Sequence, residues 1–248
     1  MKKFSLTLMI LMLGLGLVIS AFLKPTALSE KDLQGAWVFT GDKNKTIRIN
    51  AGRYFSEGTF DKQTNEFVSA RGGLWRLEGG NLIDTDEFNT LHADMVGTET
   101  KANASIKGKN LQLKADGKTN TWQMLDDGKP GALKGAWLFT GRKSGDEISP
   151  YTPGARKTMK ILSGTRFQWA AYNTETKQFS GTGGGTYTTK DGKYVEHIDF
   201  FSRDNTRVGA SLDFDFDVQG DTWHHSGLNS RGEPLYELWT KRETLAGH

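Results

Sequence analysis

Gly35-Ala36-Trp37-Val38-Phe39-Thr40-Gly41 returns as Gly135-Ala136-Trp137-Leu138-Phe139-Thr140-Gly141, a shift of 135 minus 35, or 100 residues. Internal repetition decides architecture before any local pattern does. Lys45-Thr46-Ile47-Arg48-Ile49 then returns as Lys157-Thr158-Met159-Lys160-Ile161, so the shift has grown to 157 minus 45, or 112. The second copy has gained 12 residues between Gly141 and Lys157. From there the shift of 112 holds without a gap through Phe55 and Phe167, Phe67 and Phe179, Gly72-Gly73 and Gly184-Gly185, Phe88 and Phe200, and Val96-Gly97 and Val208-Gly209. Two copies of one unit are implied, one over 33–128 and one over 132–243, expected to fold as separate domains. Asp126-Asp127-Gly128-Lys129-Pro130-Gly131 between them reads as a short turn-rich linker.

Within each copy the pattern has period two. Thr46, Arg48 and Asn50 alternate with Ile47, Ile49 and Ala51, and Leu212, Phe214, Phe216 and Val218 alternate with Asp213, Asp215 and Asp217. That is the signature of strands. Turn signals at Gly79-Gly80, Gly108, Asp116-Gly117, Asp191-Gly192 and Gly220 make the chain an all-β meander of antiparallel hairpins, closed as barrels or paired as sandwiches. Ahead of the first copy, Ser29 and Asp32 form a capping box and Leu28 faces Leu33, which predicts a single helical turn. The 12 extra residues contain Ser149-Pro150-Tyr151-Thr152-Pro153-Gly154 and read as a loop at a barrel mouth, with Tyr151 either part of a lid or plain surface.

Each copy opens on Gly-x-Trp followed by a meander, at Gly35-Ala36-Trp37 and Gly135-Ala136-Trp137. In this the chain resembles the lipocalins and other calycins, and more closely the compact lipocalin-like domains of bacterial secreted proteins of unknown function. The resemblance implies two tandem up-and-down β-barrels, each plugged at one end by its Trp. It also implies a basic residue near the last strand stacked on that Trp, for which Arg242 is placed to serve Trp137; Trp122-Gln123-Met124-Leu125 in the first copy has no such Arg.

With 248 residues, 36% apolar, 11% aromatic and 25% charged, the chain is globular and each copy is long enough for its own core. Formal net charge is +3, and Lys2 and Lys3 account for two of those charges. No concentrated basic face is found, so nucleic acid is not an expected partner. Lys2 and Lys3, then an apolar run from Phe4 to Leu23, then Lys24 and Pro25 read as a secretory signal within residues 1–27, cleaved after Ser20 or Ala21. The expected location is periplasmic or secreted. An uncleaved anchor over residues 4–23 is the alternative, because about 20 apolar residues span a bilayer, and it would be the chain's one membrane contact. The chain has no Cys, which removes disulfides and thiolate metal sites together.

Candidate chemistry is sparse. Asp213, Asp215 and Asp217 lack the Gly and Glu of a calcium loop and stand about 6.6 to 6.8 Å apart along a strand, which suits a solvated outer stripe. Gly183-Gly184-Gly185 has no following helix or Lys to make a phosphate loop, and reads as a bend or close backbone contact. His224 and His225 face opposite ways on a strand, so they cannot easily share a metal. His197, alternating with Val195 and Asp199, is either a polar group in a cavity or an ordinary surface histidine. No grouping of Ser, His and acid is identifiable, so no enzyme activity, metal or cofactor is expected. The expected function is a binding protein holding a small apolar or amphipathic molecule, with Trp169, Tyr187, His197, Phe214, Phe216 and Tyr151 as candidate ligand contacts. The second copy is favoured as the site, and the alanines of the first, Ala102 and Ala104, are read as a packing adjustment. The alternative is a structural or interaction module with filled barrels that binds protein or glycan.

Overall fold

The computed structural model describes residues 28–145, 147–229 and 231–245. The signal or anchor read over residues 1–27 lies outside them. The fold is all-β, with two closed antiparallel eight-stranded barrels in tandem. The first is β1 (Gly35–Thr40), β2 (Asn44–Ala51), β3 (Tyr54–Asp61), β4 (Phe67–Glu78), β5 (Asn81–Asn89), β6 (Glu99–Lys107), β7 (Asn110–Ala115) and β8 (Lys118–Asp126). Each strand pairs with the next, and β1 pairs with β8 to close the ring. The second is β9 (Gly135–Ser144), β11 (Arg156–Leu162), β12 (Arg166–Asn173), β13 (Phe179–Lys190), β14 (Lys193–Phe201), β15 (Ser211–Gln219), β16 (Thr222–Leu228) and β17 (Pro234–Lys241), closed by β17 on β9. Closure leaves no unpaired edge in either ring.

The 12-residue insertion departs from the loop expected of it. Glu147–Pro150 form a short strand, β10, that pairs with the outer half of β9. Pro150 is tolerated because it ends an edge strand, where no ladder N–H is required of it.

The two Gly-x-Trp tryptophans are held alike. Trp37 is fully buried and donates from Nε1 to the Leu33 carbonyl at 3.0 Å. Trp137 donates to the Leu133 carbonyl at 2.9 Å. Leu33 ends the predicted helical turn α1 (Glu30–Leu33), whose Ser29–Asp32 capping box is present. The glycine pairs mark β-bulges between Gly72 and Gly73 and between Gly184 and Gly185. A methyl group on Gly185 would lie 1.9 Å from the His197 carbonyl oxygen, and one on Gly73 would lie 2.1 Å from that of Thr85. Asp213, Asp215 and Asp217 are exposed on the outer face of β15, as a solvated stripe requires.

The period-two strand β2 buries both faces towards its C-terminal end. On β2, Arg48 and Asn50 turn into the first barrel, while Ile47, Ile49 and Ala51 turn outward onto the second. The apolar layer between the barrels is assembled from outward faces: Ile47, Ile49, Phe60 and Phe88 from the first, and Met159, Ile161, Tyr172 and Phe200 from the second. Its contacts come in exchanged pairs. Phe60 stacks on Phe200 at 5.2 Å, and their equivalents under the 112-residue shift, Tyr172 and Phe88, meet at 4.8 Å. Phe67 meets its own equivalent, Phe179, at 6.4 Å with an interplanar angle of 6°. Reciprocal contacts of this kind define an isologous interface, here within one chain.

A polar seam fixes the same interface. The Asp126 carboxylate, at the end of β8, accepts from Ser163 Oγ at 2.8 Å, Gly164 N at 3.0 Å and Thr165 Oγ1 at 2.6 Å. Arg242 does not stack on Trp137 as the lipocalin resemblance implies. It begins the last helical turn, α2 (Arg242–Leu245), and its guanidinium lies 4.2 Å above Tyr54 and pairs with Glu87 at 2.5 Å, both in the first barrel. Register explains the change: Lys241 is the residue opposite Trp137 on β9, with its ammonium 6.0 Å from the indole, and Arg242 is one residue too late.

A candidate binding cavity in the second barrel

The second barrel holds an open-mouthed cavity of about 330 Å³, near the lower end for ligand pockets. Trp169 on β12, Ile198 and Phe201 on β14, Leu212 and Phe214 on β15 and Leu235 on β17 form apolar walls. These positions face inward because each alternates along its strand with residues of the outer surface or the inter-barrel layer. Arg207, between β14 and β15, and Asn229, between β16 and β17, stand at the mouth.

Polar groups converge at the inner end. Lys160, from β11, is buried and pairs with Glu196 of β14 at 2.9 Å. Its ammonium also lies 5.3 Å from the Tyr194 ring, 5.1 Å from Trp223 and 5.2 Å from Trp239. Three ring faces around one cation compensate part of its lost hydration. Burial and the Glu196 charge push the Tyr194 hydroxyl well above its ordinary value, so it stays protonated and donates to Glu196 at 2.8 Å. A second carboxylate, Glu237 on β17, accepts from Trp239 Nε1 at 3.0 Å and lies 3.3 Å from His225 Nδ1. Burial, then the Lys160 charge, hold the His225 imidazole below its ordinary value.

The expected contacts separate on the structure. Trp169 and Phe214 line the cavity. Phe216 is half-buried against the same core without reaching the lining, and Tyr187 lies buried deeper, donating to the Ser163 carbonyl at 2.7 Å. His197 is on the exposed face of β14, with Nδ1 2.7 Å from Ser211 Oγ; its neighbour Glu196 is the residue that turns inward. Tyr151 does not cover the cavity. Its ring packs at 5.7 Å on Phe139, which in turn packs at 5.8 Å on Trp239.

Lys160, Glu196 and Glu237 were not read as site residues from the sequence. One signal was available: Arg48 and Asp84 in the first copy and Lys160 and Glu196 in the second are equivalent pairs, each a base and an acid 36 residues apart. The first barrel uses its pair differently. Arg48 pairs bidentately with Asp84 at 2.8 Å and 2.8 Å and with Glu57 at 2.8 Å. Arg71, standing where the second barrel has Gly183, adds pairs to Glu57 at 2.9 Å and Asp86 at 3.1 Å. Guanidinium and carboxylates thus occupy space left open beside Trp169. A hollow of about 320 Å³ still lies above this cluster, bounded by Thr100 and Ala102 among others, so Ala102 leaves room and is not simply repacked.

Comparison with known proteins adds little to this geometry. No family model matches the chain, and no curated protein matches it. Among solved structures, the Helicobacter pylori beta clamp bound to a DNA ligase peptide matches at 8% identity with a TM-score of 0.16, over 87% of this chain and 60% of that chain. The H. pylori beta clamp in complex with diflunisal matches at 8% identity and a TM-score of 0.16, over 84% of this chain and 56% of that one. The chain therefore spans less than two thirds of the length of either, and at that TM-score neither bears on fold or function.

Proposed function

We propose that the chain is an exported, non-enzymatic binding protein that holds a small amphipathic molecule in the second barrel. The observation that carries this reading is the cavity of about 330 Å³ with apolar walls and a polar inner end built from the buried Lys160 and Glu196 and the half-buried Glu237. Ligand sites typically combine a mainly apolar lining with a few fixed polar groups that set orientation. The lipocalin-like resemblance of Gly35-Ala36-Trp37 and Gly135-Ala136-Trp137 supports the same reading, and the apolar run from Phe4 to Leu23 supports export. For the first barrel, the Arg48–Arg71 cluster favours the structural alternative: fixed ion pairs form the floor of its hollow, where the second barrel has Trp169 and an open space.

The test is titration with a neutral fluorescent probe, N-phenyl-1-naphthylamine. Saturable binding at one site per chain is expected, and Leu212→Trp, which places an indole in the cavity, should abolish it. Absence of saturable binding, or undiminished binding in a folded Leu212→Trp protein, overturns the proposal.

A further inference from the structure

The inner end of the cavity carries unequal charge. Lys160 and Glu196 neutralise each other at 2.9 Å. Glu237 remains: burial opposes its ionisation, but the hydrogen bond with His225, the charge that His225 takes up only in acid, and the charge of Lys160 outweigh burial and hold its carboxyl below the ordinary range. His225 is its one ionisable hydrogen-bond partner, and that imidazole is held below its ordinary value; Tyr194 is protonated and donates to Glu196. At the mouth, Arg207 lies 3.4 Å from Asp204, so that pair contributes no net charge. Two carboxylates therefore face one ammonium in a pocket walled by indole and phenyl rings, which attract cations.

We infer that the ligand of this cavity carries a single cationic head, an amine or ammonium on an apolar body, with the head seated beside Glu237 and the body against Trp169 and Phe214. This rests on the binding-protein reading above and names the class of molecule that site takes. A carboxylate head fits poorly. Lys160 is already engaged by Glu196, and an entering anion would meet two fixed carboxylates without an unpaired cation to receive it. An uncharged head leaves the charge of the half-buried Glu237 as it is and gains nothing from it.

Three ligands of one chain length separate these cases: octylamine, octanoate and octan-1-ol, titrated calorimetrically into the protein near pH 7. Octylamine is expected to bind at least tenfold more tightly than either of the others. Glu237→Gln keeps an acceptor for Trp239 and removes the charge; it should weaken octylamine at least fivefold while leaving octan-1-ol within twofold. Glu237→Asp should keep the preference for the amine. Octanoate or octan-1-ol binding as tightly as octylamine overturns the cationic head while leaving the barrel as a binding site. An amine preference that survives Glu237→Gln overturns the assignment to Glu237. Failure of all three ligands, together with failure of the naphthylamine probe, overturns the binding-protein reading itself. The ranking on the unaltered protein decides the head group whether or not the Gln variant folds.

Discussion

Arg48 and Lys160 stand at equivalent positions, and each is a buried cation held by a carboxylate on the fifth strand of its barrel, counted without β10. The first barrel's cluster has a measurable signature in acid. Burial would raise the Glu57 carboxyl, but Arg71 and Arg48 outweigh burial and bring it from 4.5 down to about 2. A carboxyl depressed in the folded state contributes stability above its unfolded value, and that contribution disappears as pH falls from about 5 towards 2. For a shift of this size the contribution is roughly 3 kcal/mol. Urea unfolding at pH 5 and at pH 2 should show the unaltered protein losing about that much more stability than Glu57→Gln across the interval. Equal losses would mean that the ion pairs do not set the Glu57 titration. The duplicated base and acid were visible in the sequence. Their meeting was not, because 36 residues of separation says nothing about which strands lie across the barrel.

At the scale of elements, the glycines were the most legible feature. Gly-Gly repeated at one register in both copies reads as backbone contact, and both pairs sit at bulges. Gly185→Ala would place its methyl group 1.9 Å from the His197 carbonyl oxygen, and relief requires β13 and β14 to part. A loss of about 1–3 kcal/mol or more is expected in a denaturant midpoint. Gly154→Ala meets no atom within 4 Å and should stay within about 0.5 kcal/mol of the parent. Similar effects at the two sites would contradict close packing at the bulge. The insertion was harder to read. Its prolines and glycine signal a turn, but whether flanking residues pair with β9 depends on how far β9 extends past the barrel, and it extends to Ser144.

Over the whole molecule, the apolar layer between the barrels governs how they unfold. Phe60, Phe88, Tyr172 and Phe200 are each almost fully buried there, and Phe→Ala in such a layer costs about 3–5 kcal/mol. The full chain should melt in a single transition, and Phe200→Ala should move that transition as a whole. Two separate transitions, with one untouched by the substitution, would show the barrels to be energetically independent. A fragment covering 33–128 should leave this face uncovered. Since Phe67 meets its own equivalent and Phe60 meets the equivalent of Phe88, the fragment is expected to dimerise through the same face, and sedimentation of a monomer at micromolar concentration would contradict this.

Duplication, the all-β class and the hairpin order were determined by the sequence alone, because each is written in local spacing: a repeat, a period of two, glycine at turns. Tertiary structure decided which face of each strand looks inward. Alternation separates two faces without naming their destinations, and here the more apolar face of β2 covers the neighbouring barrel while Arg48 and Asn50 enter the interior. The same choice on β11 and β14 brings Lys160 and Glu196 into the cavity and leaves His197 outside. Only closure of the sheet and docking of the second barrel fix that choice, since a strand with two buried faces satisfies the hydrophobic effect either way until its neighbours are in place.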